Sequence, residues 1–114
     1  EKLMVDIGNS IVYRQLVGAE SVLITDRNIA ADFTIEAVSV ATKDWWTSAK
    51  NSATGAFCIK HGQTAGNIVG LTAPKVQIAT PNYSDSDGVA MFSGKLNMTP
   101  SAAAGNDELR ICFK

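Results

Sequence analysis

Apolar and polar residues alternate with a period of two along most of the chain, the period of a strand that covers one face and wets the other. In "KLMVDI", Leu3, Val5 and Ile7 alternate with Lys2, Met4 and Asp6. "SIVYRQLVG" sets Ile11, Tyr13 and Val17 on one side and Arg14 on the other, and "SVLIT" is a short apolar run. "DFTIEAVSV" opposes Phe33, Ile35 and Ala37 to Thr34 and Glu36. "AFCIK", "NIVGLT", "KVQIA", "GVAMFSGKLNM" and "ELRICFK" bring the set to about nine predicted strands. In the last of these, Leu109, Ile111 and Phe113 share one side and Arg110, Cys112 and Lys114 the other. The pattern therefore predicts a final strand whose apolar side closes the core.

The breaks between runs carry turn chemistry. Gly-Asn occurs at Gly8-Asn9, Gly66-Asn67 and Gly105-Asn106. Glycine at the first central position suits a type II′ hairpin, because it accepts positive φ at little cost. Asp87-Gly88 is a further hairpin signal, and Asp107 is placed to close the turn after Asn106. One segment leaves the strand period. "TKDWWTSAKNS" predicts a short helix over residues ~43–51, with Thr42 as cap, Asp44 in the first turn and Lys50 in the last. Trp45 and Ala49 share a face. Two to three turns are not stable alone, so the tryptophans must pack on a sheet. The expectation is a mainly β, single-domain chain (1–114): a β-sandwich or barrel-like body of about eight or nine strands with one short α-helix.

Composition narrows the function classes. Hydrophobic residues make up 46% of the 114 and charged residues 18%, which is globular and too apolar for disorder. The net charge of -1 gives no bulk positive field for nucleic acid. No apolar stretch reaches the ~18 residues of a membrane-spanning helix. Two cysteines, Cys58 and Cys112, are too few for a disulfide scaffold, and without a C-x-x-C or a Cys/His cluster zinc is disfavoured. A single disulfide stays open if the final strand lies near "AFCIK". No cofactor is predicted.

No catalytic motif emerges. His61 is the one histidine and no G-x-S-x-G elbow accompanies it, so a solvent-facing loop residue is the better reading. "DSDGVAMF" has the start of a calcium loop but runs straight into a strand, which favours a hairpin turn. Asp107 and Glu108 lie between a turn and a strand with no cleft to serve. Asn82 ("NYS") and Asn97 ("NMT") match the N-glycosylation pattern, which has meaning in a secreted eukaryotic protein. The aromatics Tyr13, Trp45, Trp46, Tyr83 and Phe92 are not interleaved with Arg or Lys as in single-strand binders, so they read as packing residues. The chain is therefore not expected to be an enzyme, and its function is expected in edges and loops. The candidate assembly residues are Tyr13 and Arg14 in the Gly8–Glu20 stretch, and Asn82, Asp85 and Asp87 in the Asn82–Gly88 turn.

The order of elements resembles a known family. A "FTIEAVSVAT" strand leads to the "DWW" helix. "GAFCIKHGQTAGN", "TAPKVQI" and "SDSDGVAMF" follow, and "GNDELRICFK" closes the series. With "VDIGNS" and "LITDRN" in the first half, most of the chain resembles the major tail proteins, or tail tube proteins, of long-tailed bacteriophages. The resemblance implies a structural virion protein of the phage tail, assembled in the host bacterial cytoplasm as stacked hexameric or pseudo-hexameric rings of its own copies. It implies a β body with a packed helix, and long hairpins or loops that bridge rings. The bore would hold the tape-measure protein and later pass DNA without sequence-specific binding, and no membrane insertion is implied. Some members carry two such domains, so a chain beginning at Glu1 is expected to be a single or carboxy-terminal domain.

A second class remains on residue grounds: an immunoglobulin-like or tail-tip adhesion module that recognises a glycan or protein surface, which shares the strand count. The helix between strands and the missing Cys…Trp…Cys order argue against a plain immunoglobulin sandwich.

Overall fold

The computed structural model describes residues 2–114. Among them are eight strands and one helix: β1 (Lys2–Asp6), β2 (Asn9–Leu16), β3 (Ala19–Arg27), β4 (Ala30–Glu36), α1 (Trp45–Lys50), β5 (Thr54–His61), β6 (Val69–Ser86), β7 (Val89–Met98) and β8 (Arg110–Phe113). The chain is mainly β with one short helix, as the alternation predicts. Every pairing is antiparallel. The body is a six-stranded sheet in the order β1-β4-β7-β6-β5, with β8 added to β6 beside β5's partner segment. β2 and β3 form a separate two-stranded sheet.

Two predicted strands, "NIVGLT" and "KVQIA", are one 18-residue strand, β6. Pro74 lies where the β5 partner shifts from Phe57 to Gly55, and Thr80-Pro81 lies where the β7 partner shifts. Each proline falls at a bulge, where its missing N–H breaks no ladder bond. The two shifts preserve a single apolar inner face. Leu3 on β1, Phe33 and Ile35 on β4, Phe92 and Leu96 on β7, Val76 and Ile78 on β6, and Phe57 and Ile59 on β5 all lie on it by register. Its centre is the core: Phe33, Val76, Phe92, Leu96 and Met98 are buried.

α1 covers one end of this face. Trp45 stacks on Phe92 at 6.1 Å between ring centroids, and Trp46 packs on Tyr83 at 5.5 Å. Asp44, rather than Thr42, is the N-cap: its carboxylate accepts from the Thr47 N–H, while the Thr42 N–H is spent on the Ser39 carbonyl. Lys50 does sit in the last turn. β4 stops at Glu36, the Ala37 N–H still donates to the Ala90 carbonyl of β7, and the Val38–Val40 end of "DFTIEAVSV" leaves the sheet.

The turns divide by position. Asp87 and Gly88 both have positive φ (54° and 81°) and join Ser86 to Val89, the type I′ hairpin that Asp-Gly predicts. Gly8-Asn9 makes no hairpin, because β1 pairs with β4 and β2 with β3. Gly8 instead forms the neck of the β2–β3 arm. Its carbonyl accepts from the Asn28 N–H, and a Cβ there would sit 2.3 Å from the Asn28 carbonyl oxygen. Gly66-Asn67 belongs to a longer loop between β5 and β6, and Gly105-Asn106 to a loop leading to β8, so neither is a two-residue turn. Asp107 closes that second loop, accepting from the Ser101 and Ala102 N–H groups.

The shape is extended. The principal extents are 62 × 38 × 30 Å and the radius of gyration is 17.8 Å. A compact chain of this length would have a radius near ~13 Å.

Candidate assembly interface

The β2–β3 arm is built from residues that have no reason to stand alone in water. Every residue from Asn9 to Leu16 and from Ala19 to Arg27 is exposed. Ile11 pairs with Ile24, Tyr13 with Val22 and Gln15 with Glu20, so these six share one face. Val12 pairs with Leu23 and Arg14 with Ser21 on the opposite face. Tyr13 and Val22 are 58% and 66% exposed. Tyr13 and Arg14 are thus both on the arm but point to opposite sides. Val17, expected beside Tyr13, is instead in the turn, where Gly18 takes φ 81°. Single two-stranded ribbons are marginal in water, and exposed apolar pairs on both faces call for cover.

Asp85 and Asp87 lie at the far end of β7 from the arm, and Asn82 lies opposite its middle. Asn97, near the arm, pairs with Ala30, whereas Val89 begins the distal turn. Asn82 faces Ser93 just past a bulge, and the Asp85 carboxylate accepts from the Gly88 N–H. All three are exposed. The two candidate regions therefore lie on separate sheets and form no single site.

A third surface was not singled out by sequence. The inner face of the sheet continues past α1 toward β5 and β8. Between β1 and β5 it forms a groove of about 550 Å³, lined mainly by apolar side chains that include Leu3, Ile35, Trp45, Phe57 and Ile59. Two cations, Lys2 and Lys43, line it and no carboxylate does. Lys43 lies over the Trp45 ring at 5.0 Å, and the Trp45 indole N–H is buried without an acceptor.

β8 corrects the expectation of a core-closing final strand. The strand forms, but Ile111 and Phe113 are 49% and 78% exposed, and only Leu109 packs against the core. The reason is placement: β8 pairs with Val69–Thr72, beyond the part of the sheet that α1 covers. The same pairing disposes of the disulfide. Cys58 lies opposite Thr72 and Cys112 opposite Gly70, with β6 between them, and both are free thiols. Two strand spacings put them about 10 Å apart or more, past disulfide reach. His61 is an exposed residue at the end of β5, and among the described residues no His, Cys, Asp or Glu cluster has the grouping of a metal site.

The total exposed surface is 8176 Å². A compact monomer of this mass exposes about 6,000 Å². The excess, roughly 2,000 Å², is comparable to a standard protein–protein interface. No protein family, curated protein or solved structure matches the chain.

Proposed function

We propose that this chain is a self-assembling structural subunit, and that its assembly is the ring-stacking of a phage tail tube. One observation carries the self-assembly reading: the chain holds out a two-stranded arm that is apolar on both faces while leaving part of its sheet's inner face open. Donor and acceptor surfaces differ, so contacts between copies run head to tail, and such contacts close into rings or continue as filaments. The long extents and large surface suit a protein covered by its own copies. The resemblance of the element order to tail tube proteins supplies the specific reading, with the tape-measure protein and DNA as bore contents.

The net charge of -1 fits a conduit, since a strongly cationic bore would hold DNA through its phosphates. The adhesion reading is weaker. The aromatic pair that a glycan platform would use, Trp46 and Tyr83, is 40% and 45% exposed but tilted by 47° and packed on Phe92, so it presents no flat stacking surface.

Sedimentation velocity over a wide concentration range tests the proposal. Self-assembly requires species of several copies to grow with concentration. A single monomeric boundary at every concentration, together with saturable glycan binding, would replace it with the adhesion module.

A further inference from the structure

We infer that the groove between β1 and β5 binds a free amphipathic anion, a carboxylate on an unbranched alkyl chain, with the chain on the groove floor and the carboxylate at Lys43. The inference goes beyond the self-assembly reading and stands or falls apart from it. The sheet order begins with β1 and ends with β5, yet both edge strands line the one groove. The sheet is therefore curled, like a barrel that stops short of closing. Val76, Ile78 and Leu96 make the floor, Leu3 and Ile59 belong to the two edges, and Trp45 of α1 makes an end wall.

Size and polarity set the class of ligand. The groove holds about 550 Å³, within the ~300–1,000 Å³ of small-molecule sites. Beside the two lysines, the hydroxyl residues of its lining are Thr34, Ser48 and Thr54. The Ser48 hydroxyl is already spent on the Asp44 carbonyl. A ligand rich in hydroxyls, such as a sugar, would leave most of them unpaired here. An alkyl chain has none to lose.

Charge sets the sign of the head group. Lys2 and Lys43 line the groove and no carboxylate does. Lys2 pairs with Thr34, on the other face of β1 from Leu3, so it adds positive field at the groove's edge. Lys43 is placed closer: its ammonium lies over the Trp45 ring, 5.0 Å from the centroid. The one salt bridge among the described residues is Lys95–Asp32, so the Lys43 ammonium has no carboxylate partner there. Asp44, next in sequence, is committed to the N–H and hydroxyl of Thr47. A cation against a low-dielectric wall attracts an anion more strongly than one in open water. Ile111 and Phe113 of β8 are exposed and lie outside the lining, so an occupied groove leaves that part of the inner face open to contacts between copies.

The test titrates the 114-residue chain by calorimetry with sodium dodecanoate, below the concentration at which it forms micelles. It is run at the dilute end of the sedimentation series, and the concentrated end reads self-assembly separately. The inference expects saturable binding of one dodecanoate per chain. Shortening the ligand to decanoate weakens binding by roughly 10- to 15-fold, at about 4-fold per buried CH₂. Lys43→Met keeps an unbranched stem beside Trp45 and removes the charge; it weakens dodecanoate by roughly 3- to 10-fold, while dodecyltrimethylammonium binds no worse. Ile59→Asp, with an unchanged circular dichroism spectrum, abolishes dodecanoate binding. Should that variant fail to fold, the chain-length series and Lys43→Met, at an exposed side chain, carry the test. An absence of saturable dodecanoate binding overturns the inference and leaves the self-assembly reading standing. Equal binding by the parent and Lys43→Met overturns the anion's place at Lys43, and undiminished binding by a folded Ile59→Asp overturns the groove as the site.

Discussion

Phe92 is where helix and sheet meet, so its truncation gives the sharpest test of the packing account. It is 1% exposed and lies within 5.7–6.4 Å of the rings of Phe33, Trp45, Trp46 and Tyr83. Phe92→Ala removes the transfer energy of the ring and leaves a cavity that four rigid aromatic neighbours cannot collapse into, at a cost of about 3–5 kcal/mol. A domain of this length has roughly 6–17 kcal/mol in total, so the variant still folds but loses a large share of its stability. Urea unfolding followed by tryptophan fluorescence reports the change directly, since both tryptophans touch Phe92. With a slope near 2 kcal/mol/M, the midpoint falls by about 2 M. Leu16→Ala on the arm, at 62% exposure, serves as the contrast and shifts stability by no more than ~0.5 kcal/mol in dilute monomer. A Phe92→Ala loss below about 1 kcal/mol would refute the reasoning that α1 is held through this ring.

Three further outcomes follow from particular residues. Gly8→Ala places a Cβ against the Asn28 carbonyl at a φ of 56°, and it should cost about 1–3 kcal/mol locally, read as faster hydrogen exchange at the Asn28 amide; unchanged exchange there would contradict the neck assignment. Asp44 is held below its ordinary value of 3.8 mainly by the Thr47 hydroxyl, and Asp107 likewise by Ser101. A lowered folded pKa means that the unfolded chain binds more protons in acid, so this stability is present above 3.8 and is lost as pH falls below it. Replacing both by Asn should flatten the acid limb of a urea-midpoint-versus-pH curve, and an unaltered limb would count against these caps. Mild oxidation should give no intramolecular Cys58–Cys112 disulfide, and intact mass spectrometry showing a monomer lighter by two hydrogens would contradict the placement of β6 between them.

Much of the body was readable from the chain because each strand face carries its own signal. The alternation of Phe33 and Ile35 with Thr34, and the Asp87-Gly88 pair, describe local geometry that the structure keeps. The joining of "NIVGLT" to "KVQIA" was not readable, since Pro74 usually ends a ladder and here it sits at a bulge. Gly8-Asn9 and Gly105-Asn106 signal positive φ correctly at the glycine, yet the same backbone serves a neck and a loop rather than a hairpin. The groove escaped the sequence for a more general reason. Period two puts Ile111 and Phe113 on one side of their strand and Phe57 and Ile59 on one side of theirs, but that these sides join into one face, and what covers it, is a tertiary or quaternary matter. The pattern is identical whether the next layer is a helix of the same chain or a second copy. Tyr13 and Arg14 were legible as arm residues by their turn-flanked run, while their opposite orientation emerges only from the register with Val22 and Ser21.

The central claim is that copies of this chain build a hollow assembly. Electron microscopy of the protein at high concentration tests it most directly. The account predicts rings or short tubes with an open axial channel. A field of separate particles no longer than the 62 Å of one chain, at a concentration where a specific interface would be filled, would contradict it.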